Sequence, residues 1–233
     1  MKKFMVIFVL TFLAVIGLNK YEKVAWAENS VEVDIDLHKY VFSDSESYLF
    51  DISIFGENFN KAKNVTLTMP SGKRVQLKNS AVFDDIQLYA SCESYDDFKE
   101  KFPEREYSII LSPKKYGSHK VDITHDFPET PEITYPEDGA VDVSLAPTIT
   151  WEALNNIDSL TISIQTVEDG NEIDKIYLSK DATSYTIPSG LLQPNTKYEL
   201  SLKAETVMGG GEEGNDYNEL ETIRVIGFTT GSE

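Results

Sequence analysis

From Leu192 to Thr206 the sequence reads LQPNTKYELSLKAET, and this stretch decides the fold. A turn at Gln193-Pro194-Asn195 runs into strict alternation. Tyr198, Leu200, Leu202 and Ala204 fall on one side; Lys197, Glu199, Ser201, Lys203 and Glu205 fall on the other. Successive side chains of a strand point to opposite faces, so a period of two with one apolar side predicts a half-buried β-strand.

Working outward, the same pattern recurs on both sides. Downstream, Ile226, Phe228 and Thr230 in IRVIGFTT predict a closing strand. Upstream, Ile133 and Tyr135 open a strand, Pro147 leads into Thr148-Ile149-Thr150-Trp151, and Leu160, Ile162 and Ile164 form a further strand. Ile173, Ile176 and Leu178, then Tyr185 and Ile187, complete the set. An early strand tyrosine after a leucine-and-proline turn, with Trp151 on an early strand and a Phe-Thr-Thr ending, resembles the fibronectin type III domain. That resemblance spans residues 128–233. It implies a β-sandwich in which Trp151 and Tyr198 are core residues and Tyr198 clamps the preceding turn. The chain departs from the family between the last two strands, where Met208 to Glu219 is a long glycine-rich acidic loop without an Arg-Gly-Asp triplet.

The preceding part, residues 28–127, is also a succession of alternating segments. Val31, Val33, Ile35 and Leu37 share one face of a strand, with Glu32, Asp34, Asp36 and His38 on the other. Tyr48, Phe50, Ile52 and Ile54 mark a second strand, and Val65, Leu67 and Met69 turn through Pro70-Ser71-Gly72-Lys73 into Val75 and Leu77. Phe83, Ile86, Leu88 and Ala90 predict another, with a bulge at Asp84-Asp85. One short helix interrupts them: Ser94 caps it, Asp96 and Asp97 occupy its first turn, and Tyr95, Phe98 and Phe102 line one side for burial before Pro103 ends it. Tyr107, Ile109 and Leu111 pair with Val121 and Ile123 around Lys114 to Gly117. The VTLTMPSGKRVQL hairpin and the FPEREYSIIL strand resemble the immunoglobulin-like sandwiches that precede fibronectin-like modules in bacterial exported proteins. The whole chain is thus expected to be all-β: two tandem antiparallel sandwiches, set end to end by the proline-rich Asp126 to Glu132.

Residues 1–27 read as a cleaved secretory signal. Met1-Lys2-Lys3 is basic, Phe4 to Leu18 is apolar, and Ala25-Trp26-Ala27 carries small residues at a peptidase site. A membrane anchor is the alternative, but the apolar run is about 15 residues where a spanning helix needs about 20. The expected location is therefore secreted, periplasmic or cell-surface, without stable membrane insertion after cleavage. The lone cysteine, Cys92, forms no intramolecular disulfide and is expected to be a small buried apolar residue. Formal charge is -18, and the chain without its leader has 17 basic against 38 acidic residues, or -21. Nucleic acid and anionic membrane require a basic patch, so neither is an expected partner.

No nucleophile-elbow, zincin, phosphate-loop or paired-cysteine motif is present, and His38, His119 and His125 are scattered. No cofactor is expected. Calcium is the one weak cation candidate, on Asp34, Asp36 and His38 or on the loops Glu168 to Asp174 and Glu212 to Glu219. Solvated acidic surface explains these residues better, because calcium needs about six to eight converging oxygens. The expected function is non-catalytic binding or spacing through sandwich loops, toward a protein or cell-surface ligand. The ligand loop is expected at Gly209, Gly210, Gly211, Glu212, Glu213, Asn215, Asp216 and Tyr217. The alternative is a secreted enzyme, or an accessory module of one, with its site in the N-terminal half; a concave pocket collecting polar side chains there would favour it.

Overall fold

The computed structural model of the protein describes residues 31–55, 64–79, 86–112, 118–208 and 218–232. The leader 1–27, the bulge at Asp84-Asp85, the turn at 114–117 and the ligand loop 209–217 lie outside them. The chain runs β1 (Glu32–Val41), β2 (Glu46–Phe55), β3 (Asn64–Thr68), β4 (Arg74–Asn79), β5 (Ile86–Cys92), α1 (Tyr95–Lys101), β6 (Arg105–Ser112) and β7 (Ser118–Ile123). The C-terminal half adds β8 (Ile133–Tyr135), β9 (Ala140–Val143), β10 (Thr148–Trp151), β11 (Ser159–Thr166), β12 (Glu172–Leu178), β13 (Ser184–Thr186), β14 (Lys197–Met208) and β15 (Asn218–Thr230). Among the described residues the fold is all-β with one short helix, as the sequence pattern predicts.

Among the described residues two large apolar cores form, one per half. In the first, Val33, Ile35 and Leu37 of β1 and Phe50, Ile52 and Ile54 of β2 join Val65, Leu67, Tyr107, Ile109 and Leu111. In the second, Ile149 and Trp151 of β10 close over Ile162 and Ile164 of β11, Tyr198, Leu200 and Leu202 of β14, and Phe228 of β15. Trp151 donates its indole N–H to the Ala182 carbonyl at 2.8 Å. The Tyr198 hydroxyl accepts the Gln193 backbone N–H at 2.7 Å. The tyrosine does clamp the turn before its strand. Asn195, in that turn, takes a positive φ of 52°, a conformation asparagine tolerates better than most residues.

Helix α1 forms as its cap predicts: Ser94 Oγ accepts the Asp97 N–H, and Lys101 reaches back to Asp97 at 2.8 Å. Burial is divided differently from the expectation. Phe98 and Phe102 enter the core, but Tyr95, at the start of the helix, stays 38% exposed beneath Lys99. Cys92 is buried, and that burial pushes its thiol pKa up, so it behaves as a small core residue.

The long strands of the C-terminal half run further than the sequence suggests. Strand β14 continues to Met208 and β15 starts at Asn218, so Asn218 and Glu219 are strand residues, not loop. Alternation persists through Glu219-Leu220-Glu221-Thr222-Ile223, but its acidic residues resemble loop composition. The extension has a large consequence for topology. One path of strands runs β12-β11-β14-β15-β1-β2-β5-β4-β3-β6-β7, while β13-β10-β8 forms a separate three-stranded sheet. Residues 28–127 and 128–233 therefore share a sheet, and Met208 and Leu220 pack into the first core. Pairing is antiparallel except at β15, which lies parallel to β1 and to β9.

Two substitutions check the second core. Trp151→Ala should cost about 3–5 kcal/mol, since it removes a large buried ring. Tyr198→Phe should cost about 1 kcal/mol through the lost hydrogen bond alone. Chemical denaturation reads both; near-zero loss at Trp151 would contradict its place in the core.

Candidate functional site

The registers place three rows of side chains across the outer face of the shared sheet. The middle row runs Ser159, Glu205, Glu221, His38 and Leu49, contributed by β11, β14, β15, β1 and β2. Below it lie Val207, Glu219, Asp36 and Asp51; above it lie Thr161, Lys203, Ile223 and Tyr40. The sequence separation is wide. Residues 183 positions apart meet as His38 Nδ1 and Glu221 Oε2.

The middle row is a chain of charge-assisted contacts. Lys203 Nζ sits between two carboxylates, bonding Glu221 Oε1 at 2.7 Å and Glu205 Oε1, while Ser159 Oγ donates to Glu205 Oε2. Glu205 and Glu221 are both buried, as is Lys203. Buried carboxylates are costly unless paired, and a lysine shared between two of them is the pairing that the sheet supplies. Beside the row, the Tyr40 phenol is pushed well above its ordinary pKa, first by burial and then by Glu221 and Asp51.

Two sets of side chains have the spacing of metal ligands: Asp36 with His38 and Asp51, and Glu205 with Glu219 and Glu221. Of the sequence candidates, Asp36 and His38 thus join a converging group, whereas Asp34 is buried on the same strand outside both. Glu219, the last residue of the Glu212 to Glu219 candidate, joins the second set from a strand, while Glu205, Glu221 and Asp51 carry no signal as partners in the sequence. Their alternation on β14 and β15 was visible, but pairing between the chain's first and last strands has no local sequence signal. In the second set the Lys203 ammonium already occupies a position a cation would take.

The other predicted cation site has a different use. In the Glu168 to Asp174 segment, Asp169 accepts from Thr166 Oγ1 and from the Asn171 N–H at 3.2 Å, closing the turn between β11 and β12. These bonds hold its carboxyl below the usual range. Asp174 accepts from the Tyr185 hydroxyl at 2.7 Å. Asp169 thus serves the hairpin, and Asp174 ties β12 to β13 of the other sheet. Gly209, Gly210, Gly211, Glu212, Glu213, Asn215, Asp216 and Tyr217 lie outside the described residues, though their anchors do not: Met208 is in the first core and Asn218 Oδ1 accepts the Ile35 N–H.

A concave pocket of about 790 Å³ opens at the end of the first sandwich, lined among others by Tyr95, Lys99, Glu104, Arg105, Asp122 and His125. Glu104 Oε1 accepts the His125 backbone N–H at 2.8 Å. The imidazole packs against Phe98 at 5.1 Å and Tyr95 at 6.0 Å, and its buried Nε2 has no hydrogen-bond partner among the described residues. Burial lowers its pKa, against the opposing pull of Glu104 and of the Phe102 carbonyl. The ring is therefore held neutral.

No family model matches the chain, and no curated protein matches it. Among solved structures, a computationally redesigned β-sandwich protein is 22% identical over 46% of this chain and 90% of its own, with a TM-score of 0.31. The FN1–FN3 domains of chicken CNTN1 are 14% identical over 87% of this chain and 68% of theirs, also at 0.31.

The neutral His125 yields a pH test. Its pKa is lower folded than unfolded, so its contribution is complete above the unfolded value of about 6.5 and is lost as pH falls through that value toward the folded one. Wild-type stability should therefore drop relative to His125→Phe as pH falls below about 6.5. Parallel urea curves at each pH read the difference; a constant difference would mean His125 titrates normally.

Proposed function

We propose that the protein is a non-catalytic exported binding or spacer protein of bacterial type, acting outside the cytoplasm. Its partner is a protein or cell-surface ligand, and its loops make the contact. The observation that carries this reading is the shared sheet: β14 and β15 pass from the second sandwich into the first, giving a continuous scaffold rather than two beads on a linker. Sandwich faces are consumed by packing, which leaves loops to vary, and the residues on either side of 209–217, Met208 and Asn218, are both anchored. The acidic balance argues against nucleic acid as a partner.

The pocket at the end of the first sandwich favours a second reading, a secreted enzyme or accessory module. It collects polar side chains from α1, β6 and the segment after β7 around a neutral histidine. Turnover of a substrate that His125→Phe abolishes without unfolding the protein would establish that reading over the first.

Two measurements test the proposal. Intact mass of the protein recovered from outside the producing cell should correspond to a chain starting at Glu28; recovery only from the cytoplasm, starting at Met1, would sink export. Replacing 209–217 with a tight turn should leave melting unchanged and reduce retention of the added protein on cell envelopes, and undiminished retention would remove the loop as the contact.

We also propose that residues 128–233 fold without 28–127. A chain beginning at Pro128 keeps the second core whole but loses β1 beside β15, so it should stay β-rich and melt cooperatively at a lower temperature. A chain that is unfolded when the full protein is folded would rule this out.

A further inference from the structure

We infer that the pairing of β1 with β15 is a tension clamp, which lets the protein carry load between its two ends; this rests on the spacer part of the proposed function. Among the described strands β1 comes first in sequence and β15 last, and the two are direct neighbours. They run parallel, in register over the six pairs from Asp36 with Glu219 to Val41 with Arg224.

Geometry decides how such a pair meets force. In parallel strands the beginning of one and the end of the other point in opposite directions. Pulling the N-terminal end of β1 away from the C-terminal end of β15 therefore slides the strands along each other. Inter-strand hydrogen bonds lie across the strand direction, so sliding strains all of them together, whereas peeling from one end breaks them in turn. Shear thus meets the summed resistance of the ladder. Every other element of both sandwiches lies in the chain between the two clamp strands and is shielded from end-to-end tension until they part.

Side chains reinforce the ladder against the same displacement. Asn218 Oδ1 accepts the Ile35 N–H at 3.2 Å, and Asp36 Oδ1 accepts the Glu219 N–H at 3.2 Å. The His38–Glu221 contact lies in the middle, and Arg224 Nη1 donates to the Phe42 carbonyl at 3.5 Å at the far end. Leu220 inserts into the first core beneath the pairing. A slip of one residue would point the carboxylate of Glu221 inward and Leu220 outward, so the register is locked by burial on both faces. The linker at 126–132 carries none of this load, because it lies between the clamped strands.

Single-molecule pulling tests the clamp. The full chain is tethered first by its two termini, which shears β1 against β15, and then by its N-terminus and Glu129, which bypasses β15. The mean force of the first rupture should be at least about twofold higher in the first geometry at equal loading rate. Equal forces would overturn the clamp while leaving export and envelope retention untouched as separate measurements. Lys39→Pro provides the second arm: the Ile35 N–H points toward β15, so by strand alternation the Lys39 N–H does too, and proline removes it. A folded Lys39→Pro protein should rupture at the lower force in the terminal geometry; an unchanged force would also overturn the proposal. If that variant does not fold, the two geometries of the unaltered chain decide alone.

Discussion

Everything distinctive about this molecule follows from one edge being filled. Without β15, strand β1 would present a row of unpaired backbone groups beside β2, and β15 would do the same beside β14. Unpaired edges invite association with other chains and are usually blunted by charge, proline or a cover. Here each edge closes the other. Strand β15 can do so because it is 13 residues long: its first part pairs with β1 and its last part with β9. The Asp138 carboxylate takes the Gly227 N–H at 2.8 Å where β15 reaches β9.

The polar row on the outer face belongs to the same constraint. Glu205, Glu221 and Lys203 are buried on strands that a simple reading would leave with one wet face, and a buried ionic row is seldom a source of net stability. Its value is in register. The His38–Glu221 contact and the Lys203 bridge are satisfied only when β1, β15 and β14 are aligned as observed, and a shift by one residue would bury unpaired charge. Apolar neighbours act in the same sense: Tyr40, Leu49, Ile223 and Val225 form a small cluster next to the row. Polar and apolar residues thus select one alignment from two directions.

How much of this was legible depended on range. Alternation placed the cores of the described strands except the short β9, Ser94 announced the helix, and Trp151 and Tyr198 sat where a sandwich needs them; these are local signals or depend on a known arrangement of neighbours. Tyr95 was misplaced because helical spacing gives a side of the helix without saying where the sandwich ends. The outer-face cluster was half seen. Asp36 and His38 could be noted on one strand, but Asn218 and Glu219 read as loop, since acidic and asparagine residues carry low strand propensity, and Glu221 just beyond them had no partner in view. What made them strand is a partner 183 residues away, and nothing local records a parallel contact between the first and last strands.

That contact also changes what the proline-rich linker means. Asp126 to Glu132 contains Pro128 and Pro131, and read alone it is a semi-rigid spacer that sets the angle between two independent bodies. In the folded protein the relative placement of the halves is already fixed by strands on either side of it. Thr222 Oγ1 donates to the Pro128 carbonyl at 2.8 Å, and Phe127 packs against the first core, so the linker is itself held against the shared sheet. Its stiffness is then a matter of closing a short connection at little entropic cost, because prolines restrict the unfolded chain as well as the folded one. The linker follows the geometry that β14, β15 and β1 impose, and the two sandwiches are coupled through hydrogen-bonded backbone instead of through a hinge.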